Sequence, residues 1–136
     1  VDVAPAYGLT EARLAAAQAA QDARLQAIVA YAPLEDGRRV CSYLDDLVRV
    51  SPLVRGVRRI TQGERDPAFC LRPGFVEGVR QLPAYGLSCD LCIYHAQFGP
   101  TSELVRQCPE VHFVLDHLAK PAIRAGDLEP WRTQLG

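Results

Sequence analysis

The chain has 136 residues, of which 49% are hydrophobic and 23% charged, and its formal net charge at pH 7 is −1. This composition is typical of a globular domain with one modest core, and the near-neutral charge gives no electrostatic attraction to nucleic acid or to an anionic membrane. No apolar run approaches the roughly 18 residues that cross a bilayer, so we expect neither nucleic acid nor a membrane as a partner.

The hydrophobic pattern predicts helices and strands in alternation. Thr10 and Asp127 are suitable N-terminal caps, Pro73 suits the first turn of a helix, and Gly86 suits a C-terminal cap. In chain order, apolar periodicity predicts a helix over 10–24, a strand over 25–31, a helix over 40–48, a strand over 54–60, a helix over 73–82, a strand over 89–94, a helix over 101–107, a strand over 111–117 and a helix over 127–135.

These elements indicate the α/β class with a parallel sheet. The predicted strands are continuous apolar runs, which is typical of strands buried on both faces. Right-handed crossovers then leave a doubly wound sheet or a barrel. A full (β/α)8 barrel needs about 250 residues. We therefore predict a partial barrel of four to five parallel strands with alternating helices.

The clearest predicted strand ends in a histidine. In parallel α/β folds, ligands meet the carboxyl ends of the strands. Alternation places His117 on one face with Phe113 and Leu115, and Val114 and Asp116 on the other. An imidazole at this position favours metal ligation or substrate binding. The structural alternative is a core histidine that is bonded to the backbone.

Polar residues also end the second and third predicted strands. Arg58 shares a face with Gly56, and its guanidinium suits bidentate recognition of a carboxylate or a lactone, the alternative being a surface salt bridge. Tyr94, His95 and Gln97 end the next strand. Regular alternation directs Tyr94 and His95 to opposite faces, so packed or capping roles are the alternative for all three.

The other sequence patterns point away from redox or nucleophilic chemistry. Cys89 and Cys92 form a CxxC match, but residues three apart in a strand face opposite ways, so the two sulfurs do not converge. Five cysteines at irregular spacing favour free thiols in a reducing, cytoplasmic compartment. The chain has no phosphate-binding Gly-rich loop and no Gly-x-Ser-x-Gly elbow.

Three segments resemble the amidohydrolase-2 family. They are 54–58 (VRGVR), 86–91 (GLSCDL) and 113–121 (FVLDHLAKP). The similar branch is that of predicted metal-dependent hydrolases of TIM-barrel fold, which includes L-fuconolactonase, rhamnonolactonase and pyrone-dicarboxylate lactonase. Residues 30–35 (AYAPLE) resemble its third strand. The 113–121 segment is the most specific part and differs at Ala119, where Gly is common in the family.

The resemblance implies roles for several of these residues. His117 matches the histidine of the Asp-His pair, which is catalytic in relatives and binds a divalent ion (Zn or Mn), although some members work without metal. Arg58 matches an arginine that contacts an acidic substrate. Tyr94 corresponds to a substrate tyrosine at a strand end, and His95 and Gln97 are counted with it as substrate-binding candidates.

Two expected family motifs are absent. The histidines are His95, His112 and His117, so there is no HxH pair, and the Gly-Ser-Asp-Trp-Pro motif of the eighth strand is missing. By this comparison residues 1–136 run from the end of strand two to just past strand six as one partial domain. The chain starts at Val1 and contains no Met. We therefore expect an internal fragment of a longer protein, inactive by itself.

The function that this resemblance implies is hydrolysis of a sugar-acid lactone or related cyclic ester. Arg58 would anchor a carboxylated or hydroxyl-rich substrate, and His117 would stabilise the oxyanion. Two alternatives stay open: a decarboxylase of the same superfamily, and a non-catalytic α/β binding or structural module. The two open sheet edges of a partial barrel are compatible with a homo-oligomer.

Overall fold

The structure is a computed structural model that describes residues 4–129 and 131–135. Within these residues four strands alternate with α-helices, and short 3-10 turns connect them. The elements are α1 (Gly8–Ala19), β1 (Ile28–Ala30), α2 (Val40–Val50), β2 (Val54–Arg58), α3 (Pro73–Val79), β3 (Ser88–Leu91), α4 (Phe98–Gln107), β4 (Phe113–Leu115) and α5 (Trp131–Leu135).

The four strands form one sheet in the order β1-β2-β3-β4, and every neighbouring pair is parallel. Each strand therefore pairs with the next one along the chain, and a helix lies in each connection. This succession of βα units is how a (β/α)8 barrel is built. The predicted parallel α/β arrangement is confirmed.

The helices cover one face of the sheet. Ala30, Val57 and Cys89 lie side by side on that face and are buried. Helix α2 packs on that face through Leu44 and Leu47, which are three residues apart and therefore lie on the same side of the helix. Both side chains are fully buried. The main hydrophobic core therefore lies between the sheet and its helices.

The opposite face of the sheet carries two rows of side chains, because residues paired in a parallel sheet project to the same side. The first row is Val29, Gly56 and Ser88, and the second is Arg58, Asp90 and Val114. Val29 and Val114 are 42% and 49% exposed. A barrel turns this face towards its axis, so we call it the axial face.

A close helix contact positions the segment that follows β1. Gly74 and Gly78 of α3 lie against the backbone of residues 34–37, and a Cβ added to Gly78 would lie 2.0 Å from the carbonyl oxygen of Leu34. No side chain fits there. The two glycines thus let α3 hold the loop that carries Glu35 to the carboxyl edge of the sheet.

Several predicted boundaries are wrong. The helix predicted over 10–24 begins at Gly8 and ends at Ala19, and the strand predicted over 25–31 is reduced to Ile28–Ala30. The strand predicted over 111–117 ends at Leu115. Only the residues that find a neighbouring strand to pair with become strand, and an apolar run extends past them into the connecting loops.

The five cysteines are free thiols, as expected. Cys89 is buried in the main core, while the sulfur of Cys92 lies 3.6 Å from Gln62 Oε1 on the other side of the strand end. The two sulfurs of the CxxC match therefore do not converge. No helix within the described ranges combines the length and the apolar character needed to cross a bilayer.

Candidate functional site

An ion pair joins the carboxyl ends of β2 and β4. Arg58 Nη1 donates a hydrogen bond to Asp116 Oδ2 at 3.0 Å, and the two side chains are only 22% and 13% exposed. Burial opposes the charged form of Arg58, but the hydrogen bond and charge of Asp116 outweigh it and raise the pKa of Arg58 above its ordinary value. The pair spans the width of β3, which lies between the two strands.

A second carboxyl lies beneath this pair. Asp90 on β3 is 8% exposed and sits in register between Arg58 and Val114 on the axial face. Burial and the nearby charge of Asp116 raise the pKa of Asp90, while Arg58 and Ser88 partly offset the shift. One guanidinium and two carboxyls thus lie at the carboxyl ends of three adjacent strands.

Sequence reasoning did not identify Asp90 or the partner of Arg58. The alternation of side chains that placed Arg58 and Gly56 on one face could also have pointed to Asp90. Applied to the next strand, the same alternation puts Ser88 and Asp90 on a common face. Only the register of the sheet shows that these two pairs of residues lie on the same face, because it places Arg58 beside Asp90 and Gly56 beside Ser88.

His117 does not continue β4. His117 to Lys120 are four successive non-glycine residues with positive φ, at 49°, 50°, 58° and 49°. We call residues 117–120 the left-handed turn. Its conformation costs about 1–2 kcal/mol per residue, and such strain concentrates at functional sites. The predicted common face of His117 with Phe113 and Leu115 is therefore wrong, and the imidazole is exposed.

Contacts from helix α5 and from two loops hold the left-handed turn. Trp131 Nε1 donates to the carbonyl oxygen of Leu118 at 2.7 Å, and His95 Nδ1 lies 3.4 Å from the carbonyl oxygen of Lys120. The Lys120 ammonium donates to the side-chain oxygen of Gln62. These contacts from neighbouring segments thus offset the local strain and fix the position of His117, the first residue of the turn.

The three polar residues predicted after β3 have different surroundings. Tyr94 is 48% exposed, and the Lys120 ammonium lies 5.6 Å from the centroid of its ring. His95 contacts the left-handed turn as described. Gln97 is buried: its amide donates to the carbonyl oxygen of Thr61 at 2.9 Å and accepts from the Tyr94 backbone at 3.0 Å. Both ends of the Gln97 amide are thus used in joining the loops after β2 and β3.

A cavity of about 380 Å³ opens at the carboxyl ends of β1 and β2. Its volume lies at the lower end of the range for small-molecule sites, about 300–1,000 Å³. The side chains that matter most in its wall are those of Tyr31, Arg58, Arg59, Gln62 and Glu64. His117 is not in this wall, so it is Asp116, through Arg58, that connects the end of β4 with the cavity.

The second arginine of the cavity is also paired. Arg59 donates through Nε to Glu35 at 2.9 Å and through Nη2 to Glu64 at 2.7 Å, and its guanidinium lies 5.2 Å from the ring centroid of Phe69. Burial opposes its charge, but the hydrogen bonds to Glu64 and Glu35 outweigh burial and raise the pKa of Arg59. Both guanidiniums at this edge are therefore fixed cations with carboxylate partners.

The described residues do not by themselves fit a metal ion. They contain no group of three His, Cys, Asp or Glu side chains close enough to hold one. Asp116, the acidic neighbour of His117 in the chain, is hydrogen-bonded to Arg58. His117 is left as a single exposed donor, and a protein site for a divalent transition metal takes three or four ligands.

Comparison with known proteins now identifies the family. The sequence profile of the family described as Amidohydrolase matches residues 1–136, so the chain belongs to that family. A crystal structure of an amidohydrolase from Burkholderia multivorans with bound zinc is 26% identical, with a TM-score of 0.82 over 94% of this chain and 45% of that one. A structure of an amidohydrolase from the same organism with bound HEPES gives 26% identity and a TM-score of 0.81, over 94% of this chain and 46% of that one.

The chain thus spans about half the length of the solved structures that it matches. Together with the order of the parallel strands, this likeness confirms the predicted partial (β/α)8 barrel. No protein of curated function matches the chain.

Proposed function

We propose that the chain supplies part of the active site of a hydrolase that opens a sugar-acid lactone or a related cyclic ester. The observation that carries the proposal is the position of Arg58, Asp116 and His117 at the carboxyl ends of parallel strands in a member of the Amidohydrolase family. That edge is where barrel enzymes bind and transform their substrates.

The chemistry assigned to these residues is electrostatic. When water attacks the lactone carbonyl, negative charge develops on the carbonyl oxygen, and a fixed hydrogen-bond donor stabilises it. The exposed imidazole of His117, the first residue of the left-handed turn, is the donor that we propose. Arg58, fixed by Asp116, anchors the substrate, and Tyr94 and His95 at the end of β3 remain candidates for further contacts.

A metal ion is a separate part of the proposal. The similar amidohydrolase from B. multivorans has bound zinc, and His117 is the residue of this chain that we propose as a ligand for a divalent ion (Zn or Mn). The remaining ligands would have to come from outside the described residues, which hold no cluster of donors.

We further propose that the activity belongs to a longer protein. Residues 1–136 would form the part of its barrel from the end of strand two to just past strand six, and they would be inactive alone. The five cysteines are free thiols and form no disulfide, which suits a reducing compartment. We therefore propose a cytoplasmic location for this enzyme.

The test compares the complete gene product with the 136-residue chain. Both are assayed for acid release from five- and six-membered sugar lactones with a pH indicator, and we expect turnover by the complete product alone. His117→Asn should lower kcat by about 10²–10³-fold, the cost of losing an oxyanion donor. His112→Asn, which changes another exposed histidine, is the matched control and should leave kcat unchanged.

Each part of the proposal can fail separately. Turnover by the 136-residue chain would contradict its inactivity. An unchanged kcat in His117→Asn would remove His117 from the chemistry. Release of carbon dioxide from a carboxylated substrate, with no lactone opened, would instead support the decarboxylase alternative.

A further inference from the structure

The single lysine of the chain lies against a buried cysteine. Lysine occurs once in the sequence, at position 120. Lys120 is the last residue of the left-handed turn, and its Nζ lies 3.7 Å from Sγ of Cys92, which directly follows β3. Cys92 is 4% exposed. The one side-chain amine of the chain is therefore in contact with a thiol 28 positions away.

A shared acceptor holds the two groups side by side. The side-chain oxygen of Gln62 accepts a hydrogen bond from the Lys120 ammonium and another from the Cys92 thiol, whose sulfur lies 3.6 Å away. The carbonyl oxygen of Cys92 also accepts from the backbone N–H groups of Thr61 and Gln62, at 3.3 and 3.2 Å. Gln62 lies in the wall of the cavity, so the pair lies directly behind a surface that a water-sized molecule can reach.

The remaining thiols have different surroundings. Burial raises the pKa of Cys70, Cys89 and Cys108, and the thiolate is the form of cysteine that reacts with oxidants. Cys41 is half-buried, and its thiol donates to a glutamine side chain at 3.6 Å. Because the chain has one lysine, the described residues give only Cys92 a side-chain amine as a neighbour.

We propose that Cys92 and Lys120 form a modification site, at which a peroxide drives formation of a reversible sulfur–nitrogen bond. The Cys92 thiolate attacks one oxygen of the peroxide, and the O–O bond breaks. The sulfur is oxidised by two electrons to a sulfenic acid, and the other oxygen leaves as hydroxide, which takes up the thiol proton to form water.

The second step needs no further oxidant, because a sulfenic acid condenses with a nearby nitrogen. The Lys120 ammonium loses one proton to solvent, and the lone pair of the resulting amine attacks the sulfur of Cys92. The S–O bond breaks, and the hydroxyl leaves as water with a second proton from the nitrogen. The product is a sulfenamide that joins the two side chains.

The crosslink changes how the left-handed turn is held. In the reduced chain Lys120 is hydrogen-bonded to Gln62, and in the oxidised chain a covalent bond ties the same side chain to the end of β3. The closed loop restricts the unfolded chain, so the oxidised protein resists heat better. A dithiol reverses the bond, because one thiol attacks the sulfur and releases the amine, and the second then releases the cysteine. This switch is independent of the proposed function, because no lactone takes part in it.

The test oxidises the 136-residue chain with hydrogen peroxide at pH 8. Intact mass is then measured, and the amines that react with a succinimidyl ester are counted after denaturation without reductant. The crosslink should lower the mass by about 2 Da. It should also leave the α-amine as the one reactive amine, where the reduced chain has that amine and Lys120. A disulfide lowers the mass equally but leaves both amines reactive.

We also expect the crosslink to raise Tm by about 5 °C or more, and dithiothreitol to restore the second amine and the original Tm. Two reactive amines in the oxidised chain would overturn the proposal, and this readout needs no variant. An amine count that dithiothreitol does not restore would overturn the reversible bond.

Three variants locate the bond. Cys92→Ser should keep both amines reactive after oxidation, and loss of an amine in that variant would contradict the assignment. Cys41→Ser, the matched control, removes a thiol that has no lysine beside it and should still lose one amine. Lys120→Arg keeps the positive charge but not the primary amine, so its oxidised Cys92 should persist as a sulfenic acid that dimedone labels. Equal labelling of Cys92 in the unmodified chain would mean that Lys120 does not capture it.

Discussion

The guanidinium of Arg58 and the carboxylate of Asp116 meet at 3.0 Å although 58 residues separate them in the chain. They lie at the carboxyl ends of β2 and β4, two strands that are not neighbours in the sheet because β3 lies between them. The pair therefore closes over the end of β3 and ties together the three strands whose carboxyl ends carry the candidate site.

We expect this pair to stabilise the fold measurably. Arg58→Lys and Asp116→Asn should each lower the free energy of unfolding by about 1–3 kcal/mol, because each leaves a half-buried polar partner with a poorer contact. A double-mutant cycle in urea should give a coupling of about 1 kcal/mol. Asp46→Asn, in an exposed pair with Arg49, should stay within about 0.5 kcal/mol. A cycle with no coupling would mean that the pair adds nothing to stability.

Asp90 should make stability depend on pH. Burial and Asp116 raise its pKa above the ordinary 3.8. The folded state therefore holds this proton more tightly than the unfolded state, and the resulting stability is present below pH 3.8 and is lost as the pH rises through the higher folded pKa. Asp90→Asn keeps the uncharged form, so it should be more stable than the unmodified chain at pH 7, by a margin that shrinks towards pH 4.

Urea unfolding of both proteins from pH 4 to pH 7 measures that margin, and NMR titration of the Asp90 carboxyl carbon gives its pKa directly. A margin that is constant across this range, or a titration midpoint at or below 3.8, would contradict the expected burial effect.

Glycine should be tolerated better than alanine within the left-handed turn. Leu118 is exposed and has φ of 50°, so its replacement relieves strain without loss of core packing. We expect Leu118→Gly to be more stable than Leu118→Ala by about 0.5–1 kcal/mol. This difference is the backbone strain that glycine relieves minus the larger conformational entropy that glycine loses on folding. Ala17→Gly on the exposed side of α1 makes the same exchange in a helix and should cost about 1 kcal/mol. If glycine in place of alanine is as unfavourable at position 118 as at position 17, Leu118 does not adopt the positive φ.

Gln97 should affect stability more than ligand binding. Gln97→Met leaves the carbonyl of Thr61 and the backbone N–H of Tyr94 without their partners, and we expect a loss of about 2–3 kcal/mol in the free energy of unfolding. Gln26→Met removes an exposed side-chain bond to the carbonyl of Ala23 and should cost less than about 0.5 kcal/mol. Slower lactone hydrolysis by the complete gene product, with unchanged stability, would instead support the substrate contact predicted from sequence.

The sequence was most informative where a property repeats along the chain. Apolar runs that alternate with helical stripes predicted the parallel α/β fold, because a strand buried on both faces and a helix buried on one stripe leave different periods. Alternation also predicted that Gly56 and Arg58 share a face, and the sheet register confirms this. The ends of the elements were less predictable, because pairing between strands, and not local preference, decides where a strand stops.

The candidate site depended on contacts that no local pattern encodes. The sequence by itself determined the class of fold, the family resemblance and the strand ends to inspect, including the one that carries His117. Only the tertiary structure decided that Asp116 binds Arg58, that Asp90 lies in register with Arg58, and that His117 leaves the strand in a left-handed turn. The register joins residues that are distant in the chain, and packing around the buried Ala119 holds a conformation that the residues of the left-handed turn disfavour.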